Sequence, residues 1–256
     1  INYGKAIVGT VSGTSISFGS EVTFNPASTE SVSIAFDSNA NKVVIAYKDE
    51  GNSNYGTAIV GTVSGTSISF GSEVVFESSD SRLTSTTFDS TNNKVVIAYR
   101  FQGTSYGKAI VGTVSGTSIS FGTAVVFSSF NTSNISATYD PTNDKIVIAY
   151  RNFGNSNYGT AIVGAVSGTS ISFATAVVFN SANTYPGAAT YDSTNNKIVI
   201  PYIDYGNSGY GTAIVGTVSG TSISFGSATV FESANTNYTS AIYDSNANKI
   251  VISYKD

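Results

Sequence analysis

The stretch "AIVGTVSGTSISFG" occupies residues 6–19 and returns unchanged at 58–71, 109–122 and 213–226. A fifth copy at 161–174 differs only at Ala165 and Ala174. A Tyr-Gly pair precedes each copy and sets a period of 51 or 52 residues, with the tyrosines at Tyr3, Tyr55, Tyr106, Tyr158 and Tyr210. Self-similarity at such a period indicates a repeat architecture. Five copies fill the 256 residues, so we expect one domain, 1–256, without a separate linker.

Each repeat has the composition of four short β-strands. In one complete repeat these are "TSTTFD" (84–89), "KVVIAYR" (94–100), "GKAIVGTVS" (107–115) and "SISFGTAVVF" (118–127). Valine, isoleucine, threonine and aromatic residues favour the pleated, half-buried surface of a sheet. The Ser-Gly-Thr between the last two strands indicates a tight hairpin. "DSTNNK" between the first two strands has typical turn residues. The sequence therefore predicts an all-β fold.

Four antiparallel strands in about 50 residues match the size of a β-propeller blade. The chain begins at the third strand of a repeat and ends at the second. We therefore predict a five-bladed β-propeller, closed by a blade that the N- and C-termini share. A linear β-solenoid or stacked sheet domains are the alternatives. The predicted blades are 31–76, 83–127, 134–179, 186–231, and 238–256 together with 1–24.

The composition excludes several kinds of chemistry. The chain has no Cys and no His, which excludes thiol chemistry and the commonest general base. The net charge is −4 with no block of basic residues, so nucleic acid is not an expected partner. No apolar run approaches the ~20 residues of a transmembrane helix, so membrane insertion is not expected.

In architecture the chain resembles the tachylectin-type lectins, whose five-bladed propellers bind sugar between blades. It also resembles, in composition, repeat segments of phage and bacterial surface proteins. The tachylectin repeats are rich in tryptophan, and this chain has none. The resemblance therefore implies a fold and a lectin-like function, and no site residue is transferred from it.

A repeated aspartate and a lysine five residues later could suggest a metal site. The aspartates are Asp37, Asp89, Asp140, Asp192 and Asp244. A calcium site needs several carboxylates within one loop, whereas each of these loops offers one beside a cation. An aspartate that accepts hydrogen bonds from turn amides explains the pattern better. We predict no metal and no cofactor.

An enzymatic function is not expected either. A five-bladed glycoside hydrolase would need two carboxylates in different environments. Glu30 and Glu50 could both reach one face, but no motif marks them. A nucleophilic triad is excluded without His or Cys. We predict no catalytic residues.

The five copies disagree in two sets of loops, which an up-and-down blade places on the same side. One set follows the second strand, and the other joins the fourth strand to the next blade; together we call them the variable face. Function is often carried by loops on a rigid scaffold. Exposed aromatic rings beside amides suit a sugar, although the loops could also differ because nothing constrains them. The candidate ligand-binding residues are Glu50, Arg82, Arg100, Phe101, Phe130, Arg151, Phe153, Tyr185, Tyr205 and Tyr238.

The repeated tyrosines that end the second strand allow two interpretations. Tyr47, Tyr99, Tyr150, Tyr202 and Tyr254 could line equivalent pockets, or they could anchor the blades as strand-end side chains. For the whole chain the leading hypothesis is a non-catalytic, glycan-binding module, extracellular or on a virion or cell surface. The alternative is a structural or protein-interaction spacer in a larger surface or phage tail protein.

Overall fold

The computed structural model describes residues 2–256, and within them every long element is a strand. The first strands are β1 (Tyr3–Ala6), β2 (Gly9–Ser12), β3 (Ser15–Phe18), β4 (Val22–Asp37), β5 (Lys42–Asp49), β6 (Tyr55–Ser64), β7 (Ser67–Phe70), β8 (Val74–Asp89), β9 (Lys94–Phe101), β10 (Tyr106–Ser115), β11 (Ser118–Phe121) and β12 (Val125–Asp140). The others are β13 (Lys145–Asn152), β14 (Tyr158–Ser167), β15 (Ser170–Phe173), β16 (Val177–Pro186), β17 (Thr190–Asp192), β18 (Lys197–Asp204), β19 (Tyr210–Ser219), β20 (Ser222–Phe225), β21 (Thr229–Asn235), β22 (Asn237–Asp244) and β23 (Lys249–Lys255). Single 3-10 turns lie at Glu50–Asn52, Phe153–Asn155 and Tyr205–Asn207. The all-β fold with internal repeats is confirmed.

The predicted fourth strand is interrupted. Strand β11 pairs with the second half of β10, and the start of β12 pairs with its first half. The break lies at Gly122, whose N–H donates to the carbonyl of Val111 at 3.0 Å. A Cβ at Gly122 would lie 1.9 Å from the carbonyl oxygen of Thr169 in the next unit. At Gly122 the close approach of the next unit leaves no room for a Cβ, whereas the equivalent position of the copy at 161–174 holds Ala174.

Three strands of 16 residues connect one unit to the next. Strand β8, for example, pairs first with β6 of its own unit and then with β9 of the following unit. Between the two halves the register shifts by one residue, which is a β-bulge. The bulge residue has a positive φ in four of the five copies: Ser31, Leu83, Asn134 and Tyr238.

The core lies between consecutive units. Phe127 at the end of one unit packs against Tyr150 and Phe173 of the next, with ring centroids 5.2 and 5.9 Å apart. The same arrangement recurs around Phe24, Phe76 and Phe179. The first strands approach even more closely, because Ser85 Oγ accepts from the N–H of Ala137 at 2.9 Å. Small residues in the first strand permit this stacking.

The array of units is open at both ends. A continuous sheet of 19 strands includes β1 and runs from β4 to β21, while β22 and β23 form a separate two-stranded sheet that an isolated bridge between Ser240 and Ala188 links to the preceding unit. Within residues 2–256 no strand pairing joins β23 to β1. Apolar side chains of the end units are exposed, among them Ile34 at 62 % and Ile242 at 66 %. The sheet is thus not closed into a ring, and the five-bladed propeller and the domain boundaries stay predictions.

Candidate ligand-binding face

Backbone hydrogen bonds bring the two sets of variable loops together. In one unit the N–H of Ser81 donates to the carbonyl of Asn54 at 3.1 Å. The equivalent bonds of the later units involve Thr132, Thr184 and Thr236 and measure 2.9 to 3.1 Å. These backbone hydrogen bonds fix each loop at one edge of its sheet. Variable residues from neighbouring units can meet there.

Cross-strand pairs form a row along this face, because each unit places the residue before its bulge opposite the end of its second strand. The pairs are Glu30 with Lys48, Arg82 with Arg100, Ser133 with Arg151, Tyr185 with Ile203, and Asn237 with Lys255. The first three pairs carry charge, the fourth pairs a tyrosine with an isoleucine, and the fifth pairs an asparagine with a lysine. The units are therefore equivalent in backbone and different in chemistry.

A cavity of about 580 Å³ opens in the aromatic part of the row. Three predicted residues line it, Tyr185, Tyr205 and Tyr238, and Asn134 and Asn237 add amide groups. The rings of Tyr185 and Tyr205 meet edge to face with centroids 5.0 Å apart. Tyr205 is 42 % exposed and Tyr238 is 82 % exposed, so both rings are available to a ligand. The volume lies within the ~300–1,000 Å³ of small-molecule sites.

Pro186 distinguishes the unit that forms this cavity. It occupies the bulge position, which has φ between 50° and 56° in the other copies. The proline ring fixes φ near −65°, so this unit cannot form the same bulge. Strand β16 ends at Pro186, and β17 resumes only at Thr190. Gly187 lies in the gap and lines the cavity, which therefore coincides with this interruption of the connecting strand.

Arg151 extends the aromatic group toward the charged part of the row. Its guanidinium carbon lies 4.1 Å from the ring centroid of Tyr185 and 4.4 Å from that of Phe153. Cation–π contacts of this kind occur within about 6 Å of the ring centroid. Five of the predicted residues thus form one contiguous group: Arg151, Phe153, Tyr185, Tyr205 and Tyr238.

The other predicted residues lie outside this group. Glu50 forms an ion pair with Lys48 at 3.0 Å, and hydrogen bonds from Ser28 and Lys48 hold the pKa of its carboxyl below the ordinary value. Lys48 is 4 % exposed and also contacts Glu30 at 3.1 Å. One ammonium is thus shared by two carboxylates, and none of the three side chains lines the cavity.

In the second unit, Arg82 binds the Asp80 carboxylate through two nitrogens, at 2.8 and 3.1 Å. Arg100 lies opposite Arg82; its burial, and secondly the charge of Arg82, lower the pKa of its guanidinium. Phe101 lies under the ammonium of Lys108, which is 3.7 Å from the ring centroid. None of these residues lines the cavity.

Phe130 covers a loop of its own unit. Its ring lies on Gly154, where a Cβ would come within 2.2 Å of it, and the side chain remains 52 % exposed. In two other units Ala27 and Ala182 occupy the equivalent place against Gly51 and Gly206. Phe130 therefore helps to fill a loop, away from the cavity.

Sequence reasoning did not place Asn134, Pro186 and Ile203 among the candidates. All three line the cavity, and Ile203 lies opposite Tyr185 on β18. The indication for Pro186 was available, because it is the one proline at the bulge position of the repeat. Recognising it required knowledge of the positive φ, which the sequence does not display directly.

The repeated aspartates organise turns. Asp140 Oδ1 accepts from the N–H groups of Thr142 and Asn143 at 3.0 and 3.1 Å, and the same pattern holds in all five copies. Within residues 2–256 no group of three or more acidic side chains is arranged to hold a metal ion. The repeated acid thus has a sufficient structural role.

The repeated tyrosines belong to the core. Tyr47, Tyr99, Tyr150 and Tyr202 are at most 1 % exposed, and Tyr254 in the end unit is 42 % exposed. Burial raises the pKa of Tyr150 to about 12. These side chains anchor the units, so they do not supply equivalent sugar pockets.

The part of the chain that the structure describes has no helix of the length and apolarity that a membrane crossing requires. No family model matches the chain, and no curated protein matches it either.

Proposed function

We propose that the chain is a non-catalytic, glycan-binding module whose sugar site is the cavity lined by Tyr185, Tyr205 and Tyr238. The observation that carries the proposal is the convergence of these three exposed or half-buried rings around one cavity with two asparagines. A sugar has an apolar face of C–H groups and a rim of hydroxyls. The rings match the first, and the amides of Asn134 and Asn237 match the second.

The size of the effect follows from contact area. A ring that covers about 60 Å² of a sugar's apolar face contributes roughly 1.5 kcal/mol at about 25 cal/mol per Å². This corresponds to about tenfold in Kd per ring. Two stacking rings and a few hydrogen bonds give an affinity in the micromolar to millimolar range, which is sufficient when the glycan is displayed on a surface. An extracellular, virion or cell-surface location is part of this proposal.

The test is a glycan array, followed by isothermal titration calorimetry on each glycan that binds. Tyr205→Ala removes one ring and should weaken binding about tenfold. Tyr205→Phe keeps the ring and matches Phe153 of the preceding unit, so it should retain most of the affinity. Phe130→Ala is the control, since alanine already occupies its place in three other units. It removes an exposed ring outside the cavity and should leave Kd unchanged.

Absence of binding across a broad array would refute the glycan proposal. Equal losses for Tyr205→Ala and Phe130→Ala would move the site away from the cavity. In the first case the alternative function, a spacer or protein-interaction segment, becomes the better explanation. The stacking of each unit on its immediate neighbours supports a spacer, because such arrays extend a chain over a defined length.

For the architecture, we propose that residues 238–256 and 1–24 complete a fifth blade and close the propeller. Closure would bury the exposed apolar side chains of the two end units, such as Ile34 and Ile242. The repeat defines the expected pairing: Ala46 lies opposite Ala58 in a complete unit, and the equivalent residues at the ends are Ser253 and Ala6.

A disulfide tests this pairing cleanly, because the chain has no cysteine of its own. Opposite residues of antiparallel strands have Cβ atoms about 4.5–5.5 Å apart, and such pairs are close enough to attempt a disulfide. The doubly substituted chain, with Ala6→Cys and Ser253→Cys, should form an intramolecular bond in dilute solution if the ring closes. A bond formed only between two chains would indicate head-to-tail association instead, and no bond would refute the pairing.

A further inference from the structure

The charges along the variable face are not balanced. Residues 2–256 form five ion pairs, and three of them lie in the first two pairs of the row, around Lys48 and Arg82. Arg100 and Arg151 take part in none of the five. The chain carries more acidic than basic residues, 16 against 12. Within residues 2–256 four of the twelve basic residues are ion-paired, and on the row itself Arg100, Arg151 and Lys255 are not.

Both arginines are partly withdrawn from water. The Nε atoms of Arg100 and Arg151 are buried and have no hydrogen-bond partner in the described part of the chain. A buried donor without a partner costs free energy, and a charged one costs more. Because these Nε atoms are buried, a ligand can reach only the outer nitrogens of each guanidinium.

Arg151 is held in position beside the cavity. The rings of Phe153 and Tyr185 contact its guanidinium, and Tyr185 also lines the cavity. A guanidinium fixed by aromatic rings keeps the donors on its edge available, and this edge matches the two oxygens of a carboxylate or the oxygens of a sulfate. The following position of the row is Tyr185 opposite Ile203, which brings no charge of either sign. The positive charge therefore borders the aromatic cavity on one side.

We propose that the saccharide bound in the cavity is acidic, and that Arg151 binds its carboxylate or sulfate while the tyrosine rings contact its apolar face. This inference rests on the proposed function and adds the ligand's charge to it. Arg100, one unit further along the row, adds positive charge that would favour a longer acidic chain over a single sugar.

The experiment compares matched neutral and acidic glycans that share one backbone: lactose, sialyllactose, which carries a carboxylate, and sulfated lactose. The same array carries other neutral and acidic pairs. For a backbone that binds, the acidic member should bind at least about tenfold more tightly at low ionic strength, the expected effect of hydrogen bonds to a charged group. The advantage should shrink as salt is added, because screening weakens the partly exposed charge pair.

Three variants locate the effect. Arg151→Ile copies the residue that the next unit has at this position, Ile203. It should abolish the preference for acidic glycans, so that the neutral and acidic members bind this variant with Kd values within about twofold of each other. Arg151→Lys keeps the charge without the planar fork and should give an intermediate preference. Lys5→Thr is the control: it removes one charge at a position where three other units have threonine, and should change nothing.

The outcomes separate the two proposals. Equal binding of neutral and acidic members, or a preference that survives Arg151→Ile, would overturn the acidic-ligand inference and leave the glycan-binding function standing. No binding of any glycan would overturn both. A preference for carboxylate over sulfate, or the reverse, identifies which acidic group the guanidinium takes. Each variant is first shown by circular dichroism to have the thermal transition of the parent.

Discussion

Replacement of one buried tyrosine by phenylalanine should destabilise the protein at one repeat and not at another. Tyr99 is fully buried, and its hydroxyl donates to Glu77 Oε2 at 3.0 Å. The ammonium of Lys108 contacts the same oxygen at 2.9 Å. Tyr202 is equally buried, but the residue equivalent to Glu77 in its unit is Asn180, whose amide donates to Thr184 Oγ1 at 2.9 Å. The repeat therefore provides its own control.

The magnitude follows from the partner's charge. A hydrogen bond to a charged group contributes about 1.5–3 kcal/mol, and Glu77 is only 15 % exposed, so water replaces the lost donor incompletely. Lys108 remains on the carboxylate and limits the loss. We expect Tyr99→Phe to reduce the free energy of unfolding by about 2 kcal/mol, and Tyr202→Phe to change it by about 0.5 kcal/mol or less.

The assay is equilibrium unfolding in urea at neutral pH, followed by near-ultraviolet circular dichroism, with the midpoint shift multiplied by a common m-value. A double-mutant cycle with Glu77→Gln should give a coupling energy of about 1 kcal/mol or more between the two side chains. Equal losses for the two phenylalanine variants, or a coupling indistinguishable from zero, would refute the reasoning.

Two further predictions concern alkaline pH and backbone strain. Burial, more than the nearby Glu77, raises the pKa of Tyr99, and burial likewise raises that of Tyr47, Tyr150 and Tyr202. The unfolded chain loses these protons from about pH 10, whereas the native chain keeps them, so stability should fall above pH 10 by up to about 5 kcal/mol per pH unit for four groups. Tyrosinate absorbance should then rise in a cooperative step with unfolding; a gradual rise for all 16 tyrosines in a folded chain would contradict this. Tyr238 has φ of 51° and is 82 % exposed, and asparagine adopts this conformation more readily than tyrosine. Tyr238→Asn, which copies Asn134, should therefore slow amide exchange in β22 and β23. The same change should weaken binding of the ligand in the cavity. Faster exchange would show that the ring stabilises this bulge.

The repeat made most of the fold predictable. Identical stretches must fold in identical ways, so one legible hairpin predicts five, and β9 and β10 begin and end within a residue of the strands predicted there. The break at Gly122 was not predictable in the same way, because it depends on a contact with Thr169 of the next unit. The pairing of the chain's ends was inferred from phase alone. The positions within the repeat at which the chain begins and ends show that the two ends are complementary halves of one unit. They do not show whether the two halves lie close enough to pair.

The sequence predicted which face of the molecule carries the candidate site, but not which of its residues lie together. Variation among the copies led to the loops that carry Tyr185, Tyr205 and Tyr238, and the structure brings these together. It also separates them from Glu50, Arg82, Arg100, Phe101 and Phe130, which the same criterion selected. Composition does not reveal which charges are already paired. Lys48, for example, lies between two glutamates, whereas Arg151 lies between two rings.

Pro186 connects these observations. A repeat whose units are identical offers identical surfaces, and a single binding site requires one unit to depart from the others. Substitution of side chains alone changes the chemistry of the row, as the charged pairs of the first units do. It does not change the course of the backbone. A proline at a position that otherwise needs a positive φ changes the backbone instead, and the space appears beside it. The constant sequence "AIVGTVSGTSISFG" tolerates this change because its strands carry the stacking interactions elsewhere. A repeated scaffold can therefore acquire a unique site through one residue, provided that the residue lies where the repeat bends.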